Sequence, residues 1–261
     1  MNEHRFSFST GALFPYNTED ALKMLAEAGF PNAELMPQCL SDASEKSTLL
    51  FEKTGVRIAS IHYPLAFFPM LYSPHAAMME DGRKYVRELL TLGKRLGTEF
   101  LVVHPHEPSR KGHDELLDAP VVDNLRWLAE ESEKYGIVVA MENSPQTCAT
   151  PEQLEEYVKM LNCPNILPMV DTTEVREADG DPVAFIEKLP PCHLHMSDFL
   201  GDTKHLPAGE GDTDWAGIKR ALGGGKYKGF YTLEPAYRFY IDDIPAKLKS
   251  AYEFLERTFG V

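Results

Sequence analysis

The chain has 261 residues, of which 43% are apolar, 10% aromatic and 25% charged. That size buries a substantial core, and the composition excludes bulk disorder and fibrous classes. With 40 acidic against 26 basic residues the formal charge is −14, which repels nucleic acid and anionic membranes and suits a small neutral substrate.

No run of apolar residues is long enough to span a bilayer. The opening MNEHRFSFST lacks the basic, apolar and small-residue succession of a secretory signal, so a cytoplasmic protein is expected. Cys39, Cys148, Cys163 and Cys192 form no C-x-x-C pair and read as reduced thiols.

In chain order, β-like runs stand at 6–10, 32–37, 56–62, 98–104, 137–143, 166–171, 191–197 and 229–234. Several are apolar almost throughout, as strands covered on both faces are. Segments of helical period lie between them. Gly136 stops a helix whose apolar stripe includes Leu117, Val121, Leu125 and Leu128. Thr150-Pro151-Glu152-Gln153 reads as a capping box with proline at the first helical position. Asp181-Pro182 opens a helix in the same way, and Asp243 is placed to cap the last one. This alternation predicts an α/β fold, a (β/α)₈ TIM barrel forming a single domain over 1–261. The rival doubly wound sheet carries a glycine-rich phosphate loop after its first strand, whereas here the first run is followed by GALFPYN.

Working groups of such barrels lie at the C-terminal ends of the strands. The third run ends in His62, the fourth in His104, the fifth in Glu142 and the sixth in Asp171. The seventh carries His193 and His195, and the eighth ends in Glu234. A lone histidine or aspartate there is often structural, but Glu142, Asp171, His195 and Glu234 crowd three carboxylates and an imidazole around one mouth. Anions gathered in a half-buried site repel, and a cation is the simplest way to hold them. One divalent metal ion is therefore expected on these four residues, with Mn²⁺, Zn²⁺, Co²⁺ and Mg²⁺ all compatible with three oxygens and one nitrogen. The absence of thiolates argues against a closed structural zinc. His193 and His195 share a strand face. His195 lies nearer the mouth and is the expected ligand, whereas His193 sits one layer down, where it can orient a neighbour.

His62 and His104 are expected to contact substrate, or to belong to a wider metal site. The polar, glycine-rich stretch 198–213 reads as a lid, with Lys204 or His205 as a substrate contact. Phe14, Tyr16, Tyr63, Phe67, Phe68, Met70 and Tyr72 could wall a pocket, pack under the rim or serve a homo-oligomer interface. Trp127 and Trp215 read as packing residues.

At this point the sequence resembles the xylose isomerase-like TIM barrel superfamily, which holds sugar isomerases and epimerases together with endonuclease IV. The resemblance runs over nearly the whole chain. It is carried by Glu142 in AMENSP, Asp171 in VDTTE, His195 in HLHMSD, PAGEGDTDW at 207–215 and Glu234 in TLEPAY, with His62 in IHYP and His104 in VVHPH. It implies the single-metal site of ketose 3-epimerases and inosose isomerases, in which Glu142 and Glu234 would also be the acid/base pair. In the tagatose epimerase type a histidine stands three residues after the metal-binding aspartate. Here Glu174 takes that substrate-side place, and Asp198-Phe199-Leu200-Gly201 lacks the arginine of that type. The endonuclease IV branch, with three metals, would match His62, His104 and His205 as further ligands but fails at Glu174 and Thr203.

The chemistry so implied removes a proton from carbon beside a carbonyl, with a sugar or sugar-like molecule as partner and no nucleic acid or membrane. The fifth and eighth strands are three apart in a ring of eight, so Glu142 and Glu234 would face one another across the metal. Proton return on the opposite face epimerises, and return to the neighbouring carbon isomerises aldose and ketose. A dehydratase of the same fold, similar to dehydroshikimate dehydratase, is the competing enzyme, a DNA-repair nuclease is a more distant one, and a sugar-binding protein is the non-catalytic alternative.

Overall fold

The apolar runs become short parallel strands buried on both faces. A computed structural model describes residues 5–109 and 114–260. Its strands are β1 (Phe6–Ser9), β2 (Asn32–Leu35), β3 (Arg57–His62), β4 (Phe100–Val103), β5 (Val138–Met141), β6 (Ile166–Pro168), β7 (Val170–Asp171), β8 (Leu194–Met196), β9 (Asp198–Leu200), β10 (Thr203–Leu206) and β11 (Tyr231–Leu233). The main sheet runs β6-β5-β4-β3-β2-β1-β11-β8-β7, every pairing parallel.

Its two edges are halves of one strand. β6 and β7 are separated only by Met169, whose N–H bonds back to Met141, while the next residue, Val170, bonds forward to His193. The partner switch at 169–170 closes the ring, so the expected eight-stranded TIM barrel forms with its sixth strand broken in the middle. β9 and β10 form a separate antiparallel hairpin.

Helices α1 (Thr18–Glu27), α2 (Glu45–Glu52), α3 (Phe68–Tyr72), α4 (Ala76–Leu96), α5 (Ala119–Glu133), α6 (Pro151–Leu161), α7 (Thr172–Glu177), α8 (Pro182–Lys188), α9 (Trp215–Ala221) and α10 (Ile244–Phe259) surround the barrel. The capping box of α6 is present in both directions, and the Asp181 carboxylate accepts from Val183 N at the start of α8. Asp243 departs from expectation. It precedes α10 at φ 50° and makes no side-chain cap, because capping needs an extended backbone that turns the side chain onto the first helical N–H groups.

Ala59, Phe100, Val102, Ala140, Met169 and Phe230 form a compact apolar cluster of their own. Arg5 and Arg57 stack on Phe230 at 4.6 and 5.5 Å and share Glu99. On its other side Phe100 stacks on His193 at 5.2 Å, where the interior turns polar. Large apolar side chains thus fill the lower interior, each contributing about 1.5–3 kcal/mol by burial, between the Arg5–Glu99–Arg57 group and the polar layer that begins at His193. Among the described residues, no helix is long and apolar enough to cross a membrane.

Candidate metal centre

Four strands bring the four residues expected as ligands to one end of the barrel. Glu142 follows β5, Asp171 ends β7, His195 lies within β8 and Glu234 follows β11. Both glutamates keep the strand hydrogen bonding, Glu142 N to Val103 O and Glu234 N to Met196 O, both 3.0 Å. Their backbones are therefore as fixed as the barrel. Asp171 and His195 are register partners on adjacent strands.

One ligand atom from each of the four lies within 4.8 Å of the others. His195 Nδ1 is the focus, 2.8 Å from Glu234 Oε2 and 3.2 Å from Glu142 Oε1. Asp171 divides its carboxylate. Oδ1 accepts from Thr173 N and Glu174 N at 2.6 and 2.9 Å and caps α7, while buried Oδ2 has no hydrogen-bond partner. Glu142 Oε2 is likewise buried, 3.2 Å from His104 Nε2 and 3.6 Å from His62 Nε2 but hydrogen-bonded to neither. Two orphaned carboxylate oxygens beside an imidazole nitrogen are what a divalent cation satisfies, so the donor set fits a hard-to-borderline ion.

The electrostatics describe the same place. Burial, with Glu142 and Glu174 nearby, lifts Asp171 to about 7. Burial opposes charge on His195, but Glu234, Glu34 and Glu142 outweigh it and hold the imidazole well above its usual range. Burial would also raise Glu142, yet His195 and His104 hold it well below. Against burial, which opposes their charge, His62 is lifted to about 9 by the nearby Glu142 and Glu234, and His205 to about 9 by Glu174 and Asp171.

Glu142, Asp171, Glu234, His62, His104, Glu174 and His205 line one cavity of about 230 Å³. His195 is fully buried beneath it. His62 and His104 meet Nε2 to Nε2 at 3.3 Å and, with Glu142, form a second group of metal-ligand type. His205 stands on β10 at φ 52°, a left-handed conformation uncommon outside glycine. Ala236 N donates to its carbonyl at 2.8 Å, and its ring spans Ser197 Oγ at 3.1 Å and Glu174 Oε1 at 3.6 Å.

The stretch 198–213, expected as a lid, is the β9–β10 hairpin followed by a turn wound on Asp198. That carboxylate accepts from Gly209 N, Thr213 N and Trp215 Nε1 at 2.8, 3.1 and 3.1 Å. A Cβ at Gly211 would lie 2.4 Å from Asp198 Oδ1, which explains glycine there. Lys204 pairs with Glu177 and does not line the cavity, leaving His205 as the hairpin's contribution. Trp215 packs edge-on against Phe254 at 5.3 Å.

The rim aromatics divide. Tyr63 is core, Phe68 and Tyr72 line a second cavity of about 550 Å³ that also touches His104, and Phe14 rests half-exposed against Tyr237.

Sequence reasoning missed Glu34. It lies inside β2 rather than at its end, fully buried, with Oε2 2.9 Å from His195 Nε2 and 3.2 Å from His193 Nε2. Burial would raise this carboxylate, but the two imidazoles hold it well below its usual range. The signal was available as the one charge in the apolar run NAELM. His193 is one layer below His195, as expected, bonded to Glu34.

A family model described as "Xylose isomerase-like TIM barrel" matches residues 22–258. A D-psicose 3-epimerase crystallised with D-fructose superimposes with TM-score 0.78 at 16% identity, covering 98% of this chain and 100% of that one. A D-tagatose 3-epimerase-like protein gives 0.76 at 25% identity, covering 97% and 98%. A probable 3-DHS dehydratase from Bacillus anthracis gives 0.74 at 16%, covering 96% and 98%. The chain belongs to the xylose isomerase-like TIM barrel family.

Proposed function

We propose that the protein is a divalent-metal-dependent isomerase or epimerase of a sugar or sugar-like molecule. One ion would be held by Glu142, Asp171, His195 and Glu234. The observation that carries this reading is the convergence of Glu142 and Glu234, from strands three apart, on His195 Nδ1 beneath a shared cavity. A divalent ion held by these four residues would supply Lewis acidity to a substrate carbonyl, which makes the neighbouring C–H more acidic.

The chain's own groups do the rest. One glutamate takes the proton from carbon and the other returns one. Glu142 is fixed below by His195 and beside by His104, whereas Glu234 also accepts from Ser9 Oγ at 3.3 Å. His62, His104, Glu174 and His205 face the same cavity and are assigned to substrate hydroxyls. The cavity over the ligands suits a single sugar ring. Four free thiols support a reducing, cytoplasmic setting. The −14 charge supports a small-molecule partner over nucleic acid.

The likeness to a dehydratase keeps elimination as a second outcome of the same proton abstraction. One experiment separates them: a ketose and polyol-ketone panel followed by NMR in D₂O with added Mn²⁺ or Co²⁺, against a chelated control. Metal-dependent deuterium uptake with an epimer or isomer as product supports the proposal. Loss of water gives an unsaturated ketone and supports the dehydratase. Incision of an abasic duplex with no exchange into any sugar would overturn both.

A further inference from the structure

Glu34 is a carboxylate placed where barrels usually put an apolar side chain. From β2 it reaches across the interior to β8, past the intervening β1 and β11. Oε2 gathers three donors: Ser60 Oγ at 2.8 Å, His195 Nε2 at 2.9 Å and His193 Nε2 at 3.2 Å. Buried carboxylates persist only when paired in this way.

The arrangement sets where the imidazole protons sit. His193 Nδ1 is buried without a partner. A bare nitrogen lone pair is tolerable there, but a stranded N–H would cost a lost hydrogen bond, so the His193 proton is on Nε2 and points at Glu34. His195 has a carboxylate at each nitrogen. Nε2 faces Glu34, and Nδ1 faces Glu142 and Glu234. A ligating imidazole carries a single N–H, on the nitrogen turned away from the cation. Nδ1 is the nitrogen among the other ligands, so that N–H is the one facing Glu34.

We propose that Glu34 is a positioning residue that keeps the His195 proton on Nε2 and so presents Nδ1 to the divalent ion. The proposal rests on the metal-centre reading above. A carboxylate behind a ligating histidine fixes its tautomer and ring angle and raises its basicity. Ser60 and His193 hold the carboxylate in turn, so both act on the metal site without touching it.

The test is a Zn²⁺ titration by calorimetry on the parent, Glu34→Gln and Ser60→Ala, joined to ¹⁵N-histidine NMR of the Zn²⁺-loaded parent with His195 assigned through His195→Gln. Zn²⁺ is diamagnetic and leaves the ring signals visible. The expected results are Nε2 protonated and Nδ1 metal-bound in the parent, an affinity loss of about 10–100-fold in Glu34→Gln, and a smaller loss in Ser60→Ala. A purely structural role would lower the melting temperature of Glu34→Gln and leave affinity per folded molecule unchanged, which would overturn the proposal. So would Zn²⁺ on Nε2, which the parent reports even if Glu34→Gln does not fold. A parent that binds no Zn²⁺ would remove the metal centre as well, whereas binding with the wrong tautomer removes only the role of Glu34.

Discussion

Asn143 clamps both backbone edges of Asp171. Its Oδ1 accepts from Asp171 N at 2.7 Å, and its Nδ2 donates to Asp171 O at 3.3 Å. The pair joins the residue after Glu142 to the end of β7, beyond the point where the sixth strand has turned from β5 to β8. A side-chain amide stands in for sheet hydrogen bonds that the break removes. Asn143→Ala would strand the buried Asp171 N–H, so a loss of about 1–3 kcal/mol is expected. Metal affinity should fall as well, because Asp171 loses its anchor. Denaturant melts and a metal titration check both, and parental values in each would show that the clamp is dispensable.

The site's titratable side chains set a pH dependence. His62 and His205, lifted to about 9, bind more protons folded than unfolded above their ordinary range. Their stabilisation is complete below about pH 6.5 and is lost as pH rises to about 9. Asp171, lifted to about 7 by burial, acts in the same direction between about pH 4 and 7, because ionising it in place costs stability. A cation competes with protons for the same atoms, so its binding strengthens as they leave. The rise in melting temperature on adding Mn²⁺ should therefore grow from about pH 6 to about pH 8. A rise that shrinks over that window would mean that these groups do not share the cation's place.

Asp198 is expected to govern the segment 207–215 as a unit. Gly209 N, Thr213 N and Trp215 Nε1 all end on its carboxylate. Asp198→Ala removes the acceptor of these three donors and of Phe199 N, at a cost of about 2–4 kcal/mol, and should open 207–213 to protease. Limited proteolysis followed by mass spectrometry locates the cut. Cleavage unchanged from the parent would show that the turn holds itself.

The barrel was legible because its strands are apolar on both faces and its helices start with proline and caps, as at Thr150 and Asp181. Gathering Glu142, Asp171, His195 and Glu234 required only that strand ends meet at one mouth. What stayed hidden depends on partners distant in the chain. Glu34 meets His195 across the barrel, a separation of 161 residues that no local pattern encodes. The hairpin at 198–206 was masked by polar and glycine residues that also suit a loop. Asp243 was misread as a cap because its identity fits and only its left-handed backbone forbids it. The break at Met169 follows from ring closure, which periodicity does not report.

The two glutamates carry the sharpest expectation. If each is both ligand and proton carrier, Glu142→Gln and Glu234→Gln will differ from ordinary ligand losses. Glutamine keeps the size and one oxygen that can touch a cation, but it cannot accept a proton from carbon. Turnover should fall by about 10²–10⁴-fold, the range for a lost general base, while metal occupancy falls much less. The two sites are unequal: Glu142 is 2% exposed among His195, His104 and His62, and Glu234, opening on the cavity, also meets Ser9. The pair should therefore fail differently in D₂O. One variant should still wash a single substrate proton into solvent without inverting the centre, which NMR reads as label uptake without product. The other should exchange nothing. Near-parental turnover in both, with metal bound, would remove the glutamates from proton transfer and move the assignment to His62 or His104, which line the same cavity.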